Sequence, residues 1–191
     1  ISSNKKVNRP SDDSAAMSRI LAYKAQLSSN SDYGKAVDSA ASNLEAIDSA
    51  LSNLSDLLIR AKELAMQSGN GIVDAPKREM LAAEVDQILQ AAIGIANTRV
   101  ADRYIFSGYQ SDSIPIDSTT GAYQRDGNDV EVAINPDVNV RINMPASELF
   151  SDTTTDFTAG PPAVYADPDT YVLEALHALK TALEEPNDTI A

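Results

Sequence analysis

AVDSAASNLEAIDSALSNLSDLLIRAKELAMQS, residues 36–68, decides the fold. Val37, Leu44, Leu51, Leu58 and Ala65 form one row at heptad spacing, and Ala40, Ile47, Leu54 and Ala61 form a second. Steps of three and four place both rows on one face of a helix longer than an ordinary globular helix needs. Leu81, Val85, Ile88, Ala92 and Ile95 repeat the pattern after a break at Gly69, Asn70 and Gly71. Asp74 and Pro76 are suited to open that second helix, which is expected from about Pro76 to Asp102. So short a connection makes the two helices antiparallel neighbours. The stretch therefore predicts a long helical rod, a structural element before anything chemical.

Upstream, Ser11 is placed to cap the first helix, with Asp12 and Asp13 in the first turn where the helix dipole favours carboxylates. Met17, Ile20 and Leu27 continue the spacing. The region Ser28 to Gly34 is poor in helix formers and fits either one continuous helix or a bend. Downstream the period changes. Val130, Val132 and Ile134 alternate with Glu131 and Ala133, and Val138, Val140, Ile142 and Met144 alternate with polar residues. Two antiparallel strands turning around Asn135 and Pro136 follow, with a further turn at Asp126-Gly127. Ser151 to Pro168 reads as a loop, and Val172, Leu173, Leu176, Leu179 and Leu183 restore the helical period. The expected organisation is a helical hairpin over 1–103, a small β-rich domain and loop over 104–168, and a returning helix over 169–191. The fold class is mainly α with a small β domain.

Composition narrows the function. The chain of 191 residues has 28 acidic against 15 basic side chains, a formal charge of -13. Such a surface repels nucleic acid and anionic lipid, so neither is an expected partner. Cysteine is absent, which removes disulfides and thiolate metal sites. Aromatics make up 5% of residues and there is no tryptophan, as helix-on-helix packing through Leu, Ile and Ala would allow. No apolar run is long enough for a membrane span, and ISSNKKVNRP at the start lacks the apolar core of a signal peptide. The opening on Ile1 and the close soon after a helical pattern lead us to expect partner segments beyond both ends.

Catalytic chemistry has little to stand on. The single histidine, His177, is expected at the surface or edge of its helix. Asp12 and Asp13 are sequence neighbours and do not converge on a point. Asp126 to Glu131 lacks the ordered ligand positions of a calcium loop. No cofactor is expected. Arg60, Lys62, Glu63, Leu64 and Gln67 read either as packing plus a solvated face or as part of a subunit interface, and Arg99 and Arg103, four apart, share a helix face in the same two readings.

Two segments carry a resemblance. Asn8-Arg9-Pro10-Ser11-Asp12-Asp13-Ser14-Ala15-Ala16 and Arg60-Ala61-Lys62-Glu63-Leu64-Ala65-Met66-Gln67-Ser68 resemble, in order, two conserved segments of bacterial flagellins and their relatives. Where flagellins continue with a Thr-x-Phe-Asn-Gly-like segment, this chain has Arg103-Tyr104-Ile105-Phe106-Ser107-Gly108. That run, Tyr123 to Gly127 and Pro145-Ala146-Ser147-Glu148-Leu149-Phe150 are similar to the hook–filament junction family, the hook-associated protein 3 branch of the flagellin superfamily. The resemblance covers roughly residues 8 to 150, and the helix after Asp169 is similar to the returning segment of that family.

The resemblance implies an extracellular structural protein of the bacterial flagellum, self-assembled into a ring between hook and filament and without a catalytic site. Export unfolded through the flagellar type III apparatus is implied, which agrees with the missing signal peptide and cysteines. The implied partners are copies of itself, the hook protein or an adjacent hook-associated protein, flagellin or the next junction protein, and an export chaperone. Joining two dissimilar polymers calls for complementary faces rather than catalysis. On that reading Arg9, Asp12 and Asp13 are candidates for contacts along the polymer, and Arg60, Glu63, Arg99 and Arg103 for lateral ones. The alternatives are flagellin itself, an intracellular helical adaptor or binding module with a β insert, and, least supported, a four-helix carboxylate enzyme. Lys62 and Ala61 stand where flagellins recognised by an innate immune receptor usually carry arginine and valine.

Overall fold

The structure, a computed structural model, describes residues 13–69, 74–124, 126–151 and 171–184. It is mainly α with a small antiparallel β region. The elements are α1 (Ser14–Gly69), α2 (Ala75–Ala96), a hairpin of β1 (Arg99–Val100) and β2 (Arg103–Tyr104), a hairpin of β3 (Glu131–Asn135) and β4 (Val138–Arg141), a 3-10 turn (Ala146–Glu148) and α3 (Val172–Glu184). The cap expected at Ser11 and, apart from Ser151, the loop expected to Pro168 lie outside the described residues. At the start of α1 the Asp13 Oδ1 accepts from the Ala16 amide at 2.9 Å, satisfying one of the donors a helix start leaves open.

The chain forms two compact units. The first joins α1 as far as Ala41 with Val132–Val140. Here α1 passes through Ser28–Gly34 without a break, so the bend is not realised. A Cβ on Gly34 would meet nothing within 4 Å, so the glycine costs only its intrinsic propensity of about 1 kcal/mol. Every residue from Leu21 to Asp32 is exposed. In the hairpin, Val132 and Ile134 are half-buried while Glu131, Ala133 and Asn135 are exposed, the alternation of a strand with one covered face.

The second unit holds the core, from Ser42 to Glu131 and from Arg141 onward. Along α1 the buried positions are Ile47, Ala50, Leu54, Ala61 and Leu64, with Leu57 packed against them. This is a correction to the seam read from sequence. The row Ile47, Leu54, Ala61 is central, and of its companion row Ala50, Leu57, Leu64 the two end residues are buried and Leu57 is half-buried. The row Leu51, Leu58, Ala65 is only half-buried, and Leu44 is 43% exposed. Both flanking rows are apolar, so the periodicity was satisfied by either; the position of the neighbouring helices chose.

α2 buries Leu81, Val85, Ile88 and Ala92 on one strip and Ala82, Leu89, Ile93 and Ala96 on another, which suits a helix covered from two sides. Its contacts with α3 account for one side, and the shared cluster with α1 for the other. Five residues separate α1 from α2, too few to traverse a helix of 22, so the pair is antiparallel. Leu173, Leu176 and Leu183 carry α3 into the same cluster. Phe106 and Phe150 close it edge to face, ring centroids 5.0 Å apart.

α2 ends at Ala96, not near Asp102. Asn97 stops it: its amide still bonds Ile93, while its side chain donates to the Ile116 carbonyl at 2.8 Å and accepts from the Ile116 amide at 3.1 Å. The chain then turns back at once through Ala101 (φ 47) and Asp102 (φ 64), pairing Arg99 with Tyr104 and Val100 with Arg103. Two positive φ values in a row are the geometry of a two-residue hairpin, adopted here without glycine.

Candidate assembly surface

Each charged residue singled out in the sequence has a definite place. On α1, one turn separates Arg60 from Glu63, bringing their side chains to 3.1 Å, and the same guanidinium donates from Nε to Glu84 of α2 at 2.7 Å. The bonds to Glu84, then to Glu63, hold the Arg60 pKa above its ordinary value. All three carboxylate and guanidinium groups remain substantially exposed, so the cluster joins α1 to α2 weakly and is screened by salt.

Arg99 and Arg103 do not share a helix face, because that helix has already ended. Arg99 lies over the Tyr104 ring, 4.9 Å from its centroid, and donates to the Asp102 carbonyl at 3.0 Å. Arg103 is exposed across the turn. Asp13 is the helix cap described above. Arg9 and Asp12 lie outside the described residues.

Several residues that shape this surface gave no signal in the sequence beyond lying near turn residues. Asn143 is buried and bridges three segments: it accepts from the Val130 amide at 2.8 Å and donates to the carbonyls of Asn128 at 2.9 Å and Ser107 at 3.0 Å. The Asp126 carboxylate accepts from the Gln110 amide and the Asn128 side chain. Burial pushes that carboxyl up, but bonds from Gln110, Asn128 and Tyr109 outweigh it and leave the pKa below its ordinary value. Gly108 is there for closeness: a Cβ would stand 2.8 Å from the Asn128 nitrogen and nearer still to Asp126. This accounts for the glycine that ends Arg103–Gly108. Asp117 is held low by the Thr120 and Thr119 amides. Arg141 pairs with Asp129 at 3.1 Å and with Glu148.

α3 is pinned to α2 by Lys180 and Asp86 at 2.7 Å, a bond that raises the lysine pKa against the opposing effect of burial. His177 is a correction. Four residues after Leu173 and next to Leu176, it falls on the inward face and is 8% exposed rather than at the surface. Glu174, on the same face, accepts from the Ser151 hydroxyl at 3.2 Å. Among the described residues no group of three or more His, Cys, Asp or Glu could hold a metal ion. No described helix is long and apolar enough to cross a membrane. The surface carries ion pairs at helix contacts, a tight turn flanked by Arg99 and Arg103, and exposed apolar side chains on α1.

Residues 1–111 match the model of a family described as the bacterial flagellin N-terminal helical region. The chain belongs to that family. Among curated relatives, flagellar hook-associated protein 3 of Salmonella typhimurium is 27% identical over 190 residues, covering 98% of this chain and 60% of that protein. The flagellar filament 41 kDa core protein of Borreliella burgdorferi is 29% identical over 147 residues, covering 77% of this chain and 40% of that one. Among solved structures, hook-associated protein 3 of Legionella pneumophila superposes with a TM-score of 0.65 at 26% identity, over 69% of this chain and 41% of its own. A putative flagellar hook-associated protein from Vibrio parahaemolyticus shares the fold over 94% of this chain and 75% of its own, TM-score 0.73 at 18% identity. The chain thus spans about 60% of the length of the first curated hook-associated relatives it matches.

Proposed function

We propose that this flagellin-family chain serves as a structural subunit at the junction between flagellar hook and filament, working by assembly with copies of itself and with the polymers on either side. The observation that carries the reading is a match to a hook-associated protein 3 along nearly the whole chain, 98% of it. The run Arg103–Gly108, whose glycine has no room for a side chain, and the buried Phe150 of the Pro145–Phe150 segment support it. On this reading the protein leaves the cell through the flagellar type III apparatus with an export chaperone and works outside. Its partners are the hook or an adjacent hook-associated protein on one side, and flagellin or the next junction protein on the other. Residues 1–103 and 169–191 would serve as the rod and 104–168 as the projecting part. Arg9, Asp12 and Asp13 would act along the polymer, and Arg60, Glu63, Arg99 and Arg103 laterally.

The filament subunit is a second reading, favoured by the similarity to a filament core protein. Deleting the gene separates the two. The junction role predicts intact hooks without filaments and flagellin released into the medium, both reversed by the intact gene. Loss of the filament's own main subunit from cells and medium alike supports the second reading. Unchanged flagella overturn both and return the chain to the adaptor class.

A further inference from the structure

Asp126-Gly127 is the single place in the chain where a glycine follows an aspartate. Such a pair is open to a backbone reaction, because glycine has no Cβ to keep its amide nitrogen from the preceding carboxyl carbon. The Gly127 nitrogen attacks Asp126 Cγ, a C–N bond forms and a C–O bond breaks. The amide proton and the carboxyl hydroxyl leave together as water, closing a five-membered succinimide. Water then reopens the ring. Opening at the main-chain carbonyl leaves the backbone running through the side-chain carbon, an isoaspartyl link of unchanged mass.

In the folded chain the pair is tied down. The Asp126 carboxylate accepts from the Gln110 amide and from Asn128 Nδ2, the latter at 2.7 Å, and the Asp126 amide donates to the Tyr123 hydroxyl at 3.0 Å. Gly127 lies close to the same hydroxyl and to Ser147. A Cβ on it would stand 3.1 Å from the first and 2.8 Å from the Ser147 Oγ. Swinging Asp126 Cγ over the Gly127 nitrogen breaks the carboxylate's bonds and moves backbone that Tyr123 and Ser147 confine. We propose that Asp126-Gly127 is a latent modification site, closed while the loops around it are folded and open to isoaspartate formation once they unfold. Loss of water needs a protonated carboxyl. Burial alone would raise the Asp126 pKa, but the bonds from Gln110 and Asn128 leave it below the ordinary value and keep that proton scarce. The product cannot close the latch again. Its main chain gains a methylene between residues 126 and 127 and its carboxylate arm loses one, so Gln110, Asn128 and Tyr123 cannot all be met. A chain held unfolded therefore collects copies whose helical core refolds and whose loops around Asp126 do not.

The full chain is held in mildly acidic buffer with and without guanidinium chloride. Its peptides carrying residue 126 are then followed by chromatography and electron-transfer fragmentation, which tell the two isomers apart. Isoaspartate should accumulate several-fold faster in denaturant. Gly127→Ala should suppress it there, where packing plays no part, which fixes the site. Without denaturant, Gly108→Ala, whose Cβ intrudes on Asp126 and Asn128, should raise the rate several-fold. Slow amide exchange at Leu54 in that variant checks that the core remains folded. Exchange also reads the consequence: converted chains returned to buffer should protect Leu54 as before, while the Gln110 amide exchanges several-fold faster. Equal conversion in the folded and the unfolded chain would overturn the inference, and so would no conversion at residue 126 in denaturant. Full recovery of Gln110 protection in converted chains would overturn the claim that the latch cannot re-form.

Discussion

The helical core around α1 and α2 and the irregular region from Asn97 to Ser151 are built on different principles. In the first, cohesion comes from Ile47, Leu54, Leu64, Val85 and Ala92, all buried, while its ion pairs lie exposed at the margin. In the second, single polar side chains hold backbone to backbone: Asn97 to Ile116, Asp126 to Gln110, and Asn143 to Val130, Asn128 and Ser107. Apolar burial is distributed and interchangeable, whereas a polar bridge depends on one residue with fixed geometry. Acid should therefore reach the irregular region through the Asp126 carboxylate while leaving the apolar core intact.

The contrast is broken most severely from the apolar side. Leu64 is fully buried, so Leu64→Ala should cost about 2–5 kcal/mol in urea unfolding, with its size set by how far the core collapses. A change below 1 kcal/mol would deny the core its apolar basis. Next comes Asn143→Ala, which deprives one amide and two carbonyls of their partner; about 1–3 kcal/mol is expected. Its signature is local, with faster amide exchange at Val130 and little change at Leu54.

A smaller effect at neutral pH sharpens the comparison on acidification. The Asp126 pKa is lowered by folding, so its contribution is present above the unfolded value, near 3.9, and is lost as pH falls through the folded one. Asp126→Asn should lower stability at neutral pH and flatten the acid limb of the stability curve. An unchanged acid limb would show that this carboxylate does not latch the loop. Least of all should follow from Arg60→Ala, since its pairs are exposed and screened; a melting temperature barely moved is expected. A marked, salt-dependent drop would mean that the margin of the core carries more than its geometry implies.

How legible each region was follows from the same contrast. Heptad spacing over residues 36–68 and Leu81–Ile95 announced α1 and α2, because repeated apolar residues leave a periodic trace. It did not say which flank of Ile47, Leu54 and Ala61 would be covered, since Ala50–Leu57–Leu64 and Leu51–Leu58–Ala65 are both apolar. The β3–β4 hairpin was visible as alternation around Pro136. The end of α2 was not: Ala101 and Asp102 turn the chain at positive φ with no glycine to mark the place. Nor were the bridges of Asn143 and Asp126, which join residues distant in sequence. His177 shows the same limit, its burial being fixed by the face that Leu173 and Leu176 turn inward. Of the residues proposed for interfaces, Arg60 and Glu63 come together, whereas Arg99 and Arg103 sit on paired strands rather than on one helix face.

Location tests the central claim most directly. Purified flagella labelled with gold-tagged antibody against residues 104–151 should carry label in a narrow band where hook meets filament. Label distributed along the filament, or none on flagella and all of it within the cell, would contradict the account.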